Sequence, residues 1–145
     1  MVAASELSIN TNASAMNMAQ TILGDGVSVN GASYSGDNRS SGIFSGGDNT
    51  SPGVTPSDTG VILSTGKAAD FTNSNGQSNQ SNGKSSNMRN GIDRDDDFDD
   101  LVGTRTYDAS FLEIDFTPDA GVEYISIQFV FASDEYPEYI NSIYN

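Results

Sequence analysis

The sequence predicts an all-β sandwich, of jelly-roll type, with one short N-terminal helix and long polar loops. Gly-rich turns separate candidate strands, and no helical pattern between them is long enough for a βαβ crossover. The 145 residues suit a single domain over 1–145, which is large enough to bury a core without disulfides. The candidate strands are centred near Val27, Ala32, Ile43, Val61, Leu112 and Ile125.

The stretch Thr11 to Leu23 predicts the helix. Asn12 or Ser14 is a suitable N-cap, and Gly24 follows the last apolar residue. The helical spacing predicts an apolar stripe made of Ala15, Met16, Ala19, Ile22 and Leu23.

Asn30-Gly31 is the strongest short-range hairpin signal in the chain. This pair is typical of a two-residue type I′ turn, which would place Val27 opposite Tyr34 on one face. The sequence therefore predicts two short antiparallel strands here.

The middle of the chain alternates apolar islands with polar stretches. Gly42 to Phe44 predicts a short strand, and Gly60 to Gly66 predicts a compact strand in the middle of a sheet. Residues 72–90 are polar and of low complexity, so they cannot bury enough surface to offset the entropy of ordering. We expect a mobile loop there.

A hairpin over residues 111–131 is expected to form the core. Leu112, Ile114 and Phe116 alternate with acidic residues as in a half-buried strand, and the turn residues of Thr117 to Gly121 follow. The second strand is the most apolar in the chain, and one of its faces carries Ile125, Ile127, Phe129 and Phe131.

The charge balance excludes several classes of function. With 20 acidic and 6 basic residues the net charge is −14, which disfavours nucleic acid and anionic membrane surfaces as partners. The chain has no Cys and no His, so thiolate chemistry and the usual zinc ligands are excluded. No apolar run is long enough to insert into a membrane, and the N-terminus does not resemble a signal peptide. The repulsion among carboxylates points to divalent metal or a saline exterior.

Two acidic clusters are candidate calcium sites. In an extended or tightly turning loop, alternate residues of GIDRDDDFDDLVG would converge, and oxygen ligands of this kind suit Ca²⁺. The pattern is not an EF-hand, because Phe98 stands where Gly is needed. A plain solvated acidic loop is the alternative reading. The predicted ligands in this run are Asp93, Asp95, Asp97 and Asp99.

The second cluster lies in FASDEYPEYIN, directly after the most apolar strand. Asp134, Glu135 and Glu138 are expected at the rim of a sheet, where they could bind a cation or face a sugar. A polar loop whose tyrosines pack on the core is the alternative. Paired carboxylates also cleave glycosidic bonds, with Glu135 and either Glu138 or Asp134 as candidates. Neighbours in one loop rarely face each other across a cleft, so we predict no enzyme.

Four stretches resemble the choice-of-anchor L domain of bacterial surface and secreted proteins. They are GVILSTG, the acidic segment that ends in Leu101, TYDASFLEIDFTP and QFVFASDEYPEYINS. The resemblance implies an extracellular or cell-surface location. It also implies further strands beyond Asn145, so we expect an incomplete domain with a vacant strand position beside its core.

Three functional classes follow from these observations. A surface adhesion or matrix module fits the charge, the resemblance and the long polar loops. A structural subunit of an extracellular filament is the alternative, because an unpaired edge accepts a strand from a neighbouring chain. A glycan-binding or glycan-cleaving domain is the third. The expected partners are accordingly other protein chains, which supply missing strands or belong to a matrix, with glycans as a further candidate.

Overall fold

The structure is a computed structural model, and it describes residues 2–51, 53–73, 88 and 90–133. Short strands dominate it, with two α-helices and two single 3₁₀ turns. The helices are α1 (Ala15–Ile22) and α2 (Asp96–Val102). The strands are β1 (Val2–Ala3), β2 (Ser8–Asn10), β3 (Val27–Ser35), β4 (Ser41–Ser45), β5 (Thr59–Leu63), β6 (Thr72–Asn73) and β7 (Phe111–Pro118).

The described strands form three small sheets. Strands β2, β4 and β5 make an antiparallel sheet with β4 in the middle, β3 pairs with β7 in antiparallel fashion, and β1 pairs with β6 in parallel. The chain is therefore β-rich, as predicted. The finer prediction of a jelly-roll sandwich is not confirmed by these separate small sheets.

Helix α1 lies between the two antiparallel sheets. It contacts β3 and β7 of one sheet and β4 and β5 of the other. Ser14 caps it, as one of the two predicted caps, because its Oγ accepts a hydrogen bond of 3.1 Å from the backbone N–H of Asn17. The predicted stripe is only partly right. Met18 and Ala19 are buried while Ile22 is exposed, since packing against sheets on two sides buries adjacent residues of the helix.

The hydrophobic core lies at the three-stranded sheet, near the start of the chain. Val2, Leu7 and Phe44 are buried together. Half-buried side chains pack around them, and these are Ile9, Val54, Ile62 and Phe71. This cluster is built from residues before position 72, and none of residues 111–131 is buried, so the prediction that residues 111–131 form the core is wrong.

The predicted Asn30-Gly31 hairpin is wrong, because both residues lie inside the nine-residue strand β3. Neither has the positive φ that a type I′ turn requires. Asn30 is instead the extra residue of a β-bulge, and its Nδ2 donates a 2.9 Å hydrogen bond to Oγ1 of Thr117 on β7. Pairing with the long strand β7 thus satisfies the backbone hydrogen bonds of β3 and keeps it extended, where a local turn would have folded it back.

The predicted strands at Gly42 to Phe44 and Gly60 to Gly66 are confirmed as β4 and β5. Their order is not as expected. β4 occupies the centre of the sheet, and β5 pairs only with β4 among the described strands. Of the predicted mobile loop over 72–90, Thr72 and Asn73 form β6. Most of the rest of that loop lies outside the described residues.

The predicted core hairpin forms only in part. Its first strand is confirmed as β7, and a turn follows, in which the Val122 N–H donates a 3.1 Å hydrogen bond to the Asp119 carbonyl. Residues 122–133 form no strand and are exposed. The partner of β7 is β3, whose Tyr34 lies opposite Leu112 and whose Val29 lies opposite Phe116.

Candidate functional site

The acidic run of residues 93–100 is helical from Asp96 onward, so the prediction of an extended or tightly turning loop is wrong for that part of the run. Asp95 is the N-cap, because its Oδ1 accepts a 3.3 Å hydrogen bond from the backbone N–H of Phe98. Three further aspartates occupy the first turn, where negative charge is favourable beside the helix dipole. Gly103 ends the helix in the left-handed conformation. An Asp cap and a Gly stop eight residues apart were the sequence signal for this helix.

Three of the four predicted calcium ligands in this run make local contacts, since Asp95 is the N-cap and Asp93 and Asp99 also accept hydrogen bonds. Asp93 lies 3.8 Å from Nη2 of Arg105, and its Oδ1 accepts a hydrogen bond from the Asp108 N–H. Asp99 Oδ1 accepts hydrogen bonds from Thr106, at 2.5 Å from its N–H and 2.6 Å from its Oγ1. These hydrogen bonds, from the side chain first, lower the pKa of Asp99.

Within the part of the chain that the structure describes, no three acidic side chains gather as metal ligands would. Asp95 and Asp97 line a shallow, open depression beside Ile92 and Arg94, with a volume of about 460 Å³. The other predicted ligands, Asp134, Glu135 and Glu138, lie outside the described residues. Calcium binding by either cluster stays a prediction.

A second polar site, which the sequence analysis did not indicate, is a buried carboxylate. Asp37 follows β3, and its side chain is completely buried. Its Oδ1 accepts hydrogen bonds from the Arg39 backbone N–H at 3.0 Å and from Nε at 2.9 Å, while Oδ2 accepts one from Nη2 at 3.0 Å. The backbone N–H of Asn90 donates to the same carboxylate. The Arg39 side chain, foremost, holds the pKa of Asp37 well below its usual range.

The loop around Asp37 ties β3, β4 and β7 together. The Tyr34 hydroxyl donates a 2.8 Å hydrogen bond to the Asp37 carbonyl and lies 2.9 Å from the Ser110 hydroxyl. The buried Ser40 donates from its Oγ to the Gly66 carbonyl at 2.8 Å. We call the group formed by Tyr34, Asp37, Arg39, Ser40 and Ser110 the Asp37 junction. Its hydrogen bonds join four segments that are distant in sequence, which are residues 34–40, Gly66, Asn90 and Ser110. For that reason neither local pattern nor spacing indicated this group.

Asp108 lies beside the Asp37 junction in an unusual setting. It is a non-glycine residue with a positive φ of 54°, and its carboxyl group lies directly against Gly91, where any Cβ would clash with it. Desolvation by burial, with smaller contributions from the charges of Asp93 and Asp37, raises its pKa. The backbone N–H of Met88 donates to it and opposes the shift. Asp37 and Asp108 thus accept hydrogen bonds from the backbone at Asn90 and Met88.

A surface of a different kind follows β7. Residues 122–133 read VEYISIQFVFAS and carry one charge, on Glu123. Most of their apolar side chains are open to solvent, and Tyr124, Phe129 and Phe131 are each more than four-fifths exposed. We call residues 122–133 the apolar segment. Exposed apolar surface on this scale is typical of an interaction site.

The comparison with family models gives one result. The model described as the choice-of-anchor L domain matches residues 7–145, nearly the whole sequence. The chain belongs to this family, which confirms the resemblance predicted from its motifs and defines it as a cell-surface or extracellular bacterial protein. No curated protein and no solved structure matches it. No helix among the described residues has the length and apolar character needed to cross a membrane.

The low pKa of Asp37 predicts acid sensitivity. Because its folded-state pKa lies below the ordinary value of 3.8, the carboxylate contributes stability that is present above pH 3.8 and is lost as the pH falls through the folded-state pKa. Asp37→Asn should lower the midpoint of thermal unfolding at pH 7 by roughly 5 °C or more. The exposed Asp25→Asn, with the same change in charge, is the control. Equal midpoints for the two variants would contradict the proposed contribution of the junction.

The raised pKa of Asp108 predicts the opposite sign. Between 3.8 and its folded-state pKa the folded chain binds more protons than the unfolded chain, so the contribution of Asp108 to stability falls as the pH rises through this window. Asp108→Asn, which tolerates the positive φ, should raise the unfolding midpoint at pH 7 relative to Asp25→Asn by about 2 °C. The difference between the two midpoints should vanish near pH 3, because the Asp108 carboxyl group is then neutral in both the folded and the unfolded chain. Thermal melts at the two pH values measure it, and a lower midpoint at pH 7 would contradict it.

Proposed function

We propose that the chain is an extracellular adhesion or matrix module that acts by binding rather than by catalysis. Its family supports the location, and the exposed apolar segment is the observation that carries the binding role. A run of apolar side chains in water is costly to keep unless a partner covers it. The net charge of −14 keeps the rest of the surface soluble beside this segment.

The titration behaviour of the described carboxylates favours binding over catalysis. Asp37 and Asp108 have pKa values shifted in opposite directions, which is also the pattern of a general acid and base. Asp37, however, has no exposed side-chain surface and is held by Arg39 through both carboxylate oxygens. A substrate would have to displace this arginine, so the opposed shifts are better explained by the hydrogen bonds from Arg39 to Asp37 and by the burial of Asp108.

A filament subunit assembled by strand complementation is the second candidate. The observation in its favour is the edge of β7 that faces away from β3, since no described strand pairs with it. Unpaired N–H and C=O groups along such an edge accept a strand from another chain. Glycan binding is a weaker alternative, for which the exposed Tyr107 beside Arg105 offers one aromatic surface. Glycan arrays probed with the purified chain separate this alternative from both protein-binding roles.

The adhesion role predicts that the protein is accessible on intact cells and that the apolar segment retains it in the matrix. An antibody against the chain should label unpermeabilised bacteria that produce it. The double variant Phe129→Ser and Phe131→Ser should be retained on isolated cell-surface matrix at least about fivefold less than the parent chain, because two exposed aromatic anchors are removed.

Leu101→Ser and Val102→Ser form the matched control, since both side chains are exposed apolar groups outside the apolar segment. Labelling that requires permeabilised cells would contradict the extracellular role. Equal retention of the two double variants would contradict the role of the segment.

We also propose that Ca²⁺ stabilises the chain through its acidic residues. Helix α2 and its cap carry five carboxylates in six positions, Asp95, Asp96, Asp97, Asp99 and Asp100, and no basic residue lies in the last turn to offset them. Like charges at this density repel, and a divalent cation relieves that repulsion. Asp134, Glu135 and Glu138 are the other candidate ligands.

Thermal unfolding in millimolar Ca²⁺ and in chelator tests the calcium proposal. When the free Ca²⁺ concentration is a hundred times the Kd of a site, binding stabilises the folded chain by about 2.7 kcal/mol. This raises the midpoint of thermal unfolding by several degrees. Mg²⁺ at the same ionic strength is the control for screening. Asp95→Asn with Asp97→Asn should abolish the shift if α2 binds the ion, and should leave it intact if the later cluster does. Identical midpoints in Ca²⁺ and in chelator would contradict the proposal.

A further inference from the structure

The apolar segment is complementary to the edge of β7 that faces away from β3, although the two do not pair within one chain. We call this edge, which no strand among the described residues occupies, the free edge. Strand β7 bonds to β3 along one edge, and no described strand occupies the other. Residues 122–132 of the apolar segment have the alternation of a strand but pair with no strand among the described residues, and Ile127 and Phe129 are largely exposed. The free edge of β7 can accept a further strand, and the apolar segment has the sequence of one.

The turn after β7 explains why the two do not meet in the same chain. Gly121 has a φ of 93° at the third position of the turn Asp119–Val122, and Ala120 before it has no positive φ, which defines a type II turn. Turns of this type splay the two strands that they join, whereas the primed types match the twist of a tight hairpin. The segment therefore does not fold back along β7.

The contacts of the turn point the segment in the opposite direction. The N–H of Asp119 donates a 2.9 Å hydrogen bond to the carbonyl of Gly26, the residue before β3. A methyl group of Val122 lies close over the same glycine. The chain thus leaves the turn on the side of β3, away from the free edge of β7.

We propose that the apolar segment of one copy adds as an antiparallel strand to the free edge of β7 in a second copy. This rests on the proposed extracellular binding role and names its partner. Placing Ile127 opposite Ile114 puts Ile125 opposite Phe116, so the apolar face of the added strand extends the apolar face of β7. Phe116 is 37% exposed in the single chain, so it has surface left to cover.

The acidic residues on β7 explain why this segment, and not another part of so acidic a chain, is the donor strand. In the same register Ser126 lies opposite Asp115 and Gln128 lies opposite Glu113, both of which are exposed carboxylates on β7. A donor strand with acidic residues at these positions would place like charges directly opposite one another, which is destabilising. The apolar segment presents a hydroxyl and an amide there, which can donate hydrogen bonds to the carboxylates.

Two variants of the full chain test the pairing by light scattering across a range of concentrations. The parent chain should show a mass above that of one chain, rising with concentration. Ile127→Glu buries a charge at the new interface, so it should weaken self-association roughly a hundredfold or more. Leu101→Glu, at an exposed apolar residue on α2, is the matched control and should associate as the parent does. Ile127 is 68% exposed, so its substitution should leave the unfolding midpoint of the single chain unchanged.

Cross-linking tests the register. The chain has no cysteine, so Asp115→Cys and Ser126→Cys, made in separate chains and mixed under mild oxidation, can form a disulfide only between copies. The mixture should cross-link at least about tenfold faster than Asp48→Cys mixed with Ser126→Cys. A monomer at high concentration, self-association unaffected by Ile127→Glu, or equal cross-linking in the two mixtures would overturn the pairing. Surface labelling of cells is independent of these readouts, so the extracellular role and the pairing fail separately.

Discussion

The buried carboxylate of Asp37 is the constraint on which the rest of the fold depends. An ionised group without solvent contact must be fully hydrogen-bonded, and here Arg39 and the backbone of Asn90 supply the donors. The same loop bonds through its main chain to the residues after β5, where Ser64 and Ala68 donate to the carbonyls of Ser40 and Arg39. The Asp37–Arg39 pair thus fixes the positions of four segments. Apolar contacts between sheets this small could not align those segments alone.

Helix α1 supplies the apolar counterpart of this constraint. A sheet of two or three short strands has one face to bury and too little area to be stable alone. Because Met18 and Ala19 are buried between β3 on one side and β4 and β5 on the other, one short helix serves both sheets. The Asp37 junction lies where β3 passes toward β4, so the polar and the apolar constraints act on the same connection.

The residues with the strongest apolar pattern contribute least to the described core. Val2, Leu7 and Phe44 bury their side chains in a region rich in Ser, Asn and Gly, whereas the apolar segment stays exposed. A type II turn at Gly121 directs that segment away from the outer edge of β7, which no strand among the described residues occupies. A satisfied polar junction together with an exposed apolar surface is consistent with the binding role proposed for this member of the choice-of-anchor L family.

Local signals in the sequence determined the elements whose causes are themselves local. Ser14 indicated the start of α1, the apolar islands indicated β4, β5 and β7, and the motifs indicated the family. Tertiary structure decided the rest. Asn30-Gly31 became a bulge because β7 offered the long β3 strand a partner. The helix in the acidic run had a local signal in its Asp cap and Gly stop, and the contact of Asp99 with Thr106 fixes it to the chain that follows. The Asp37 junction joins residues up to 76 positions apart, and such contacts have no signature in neighbouring residues.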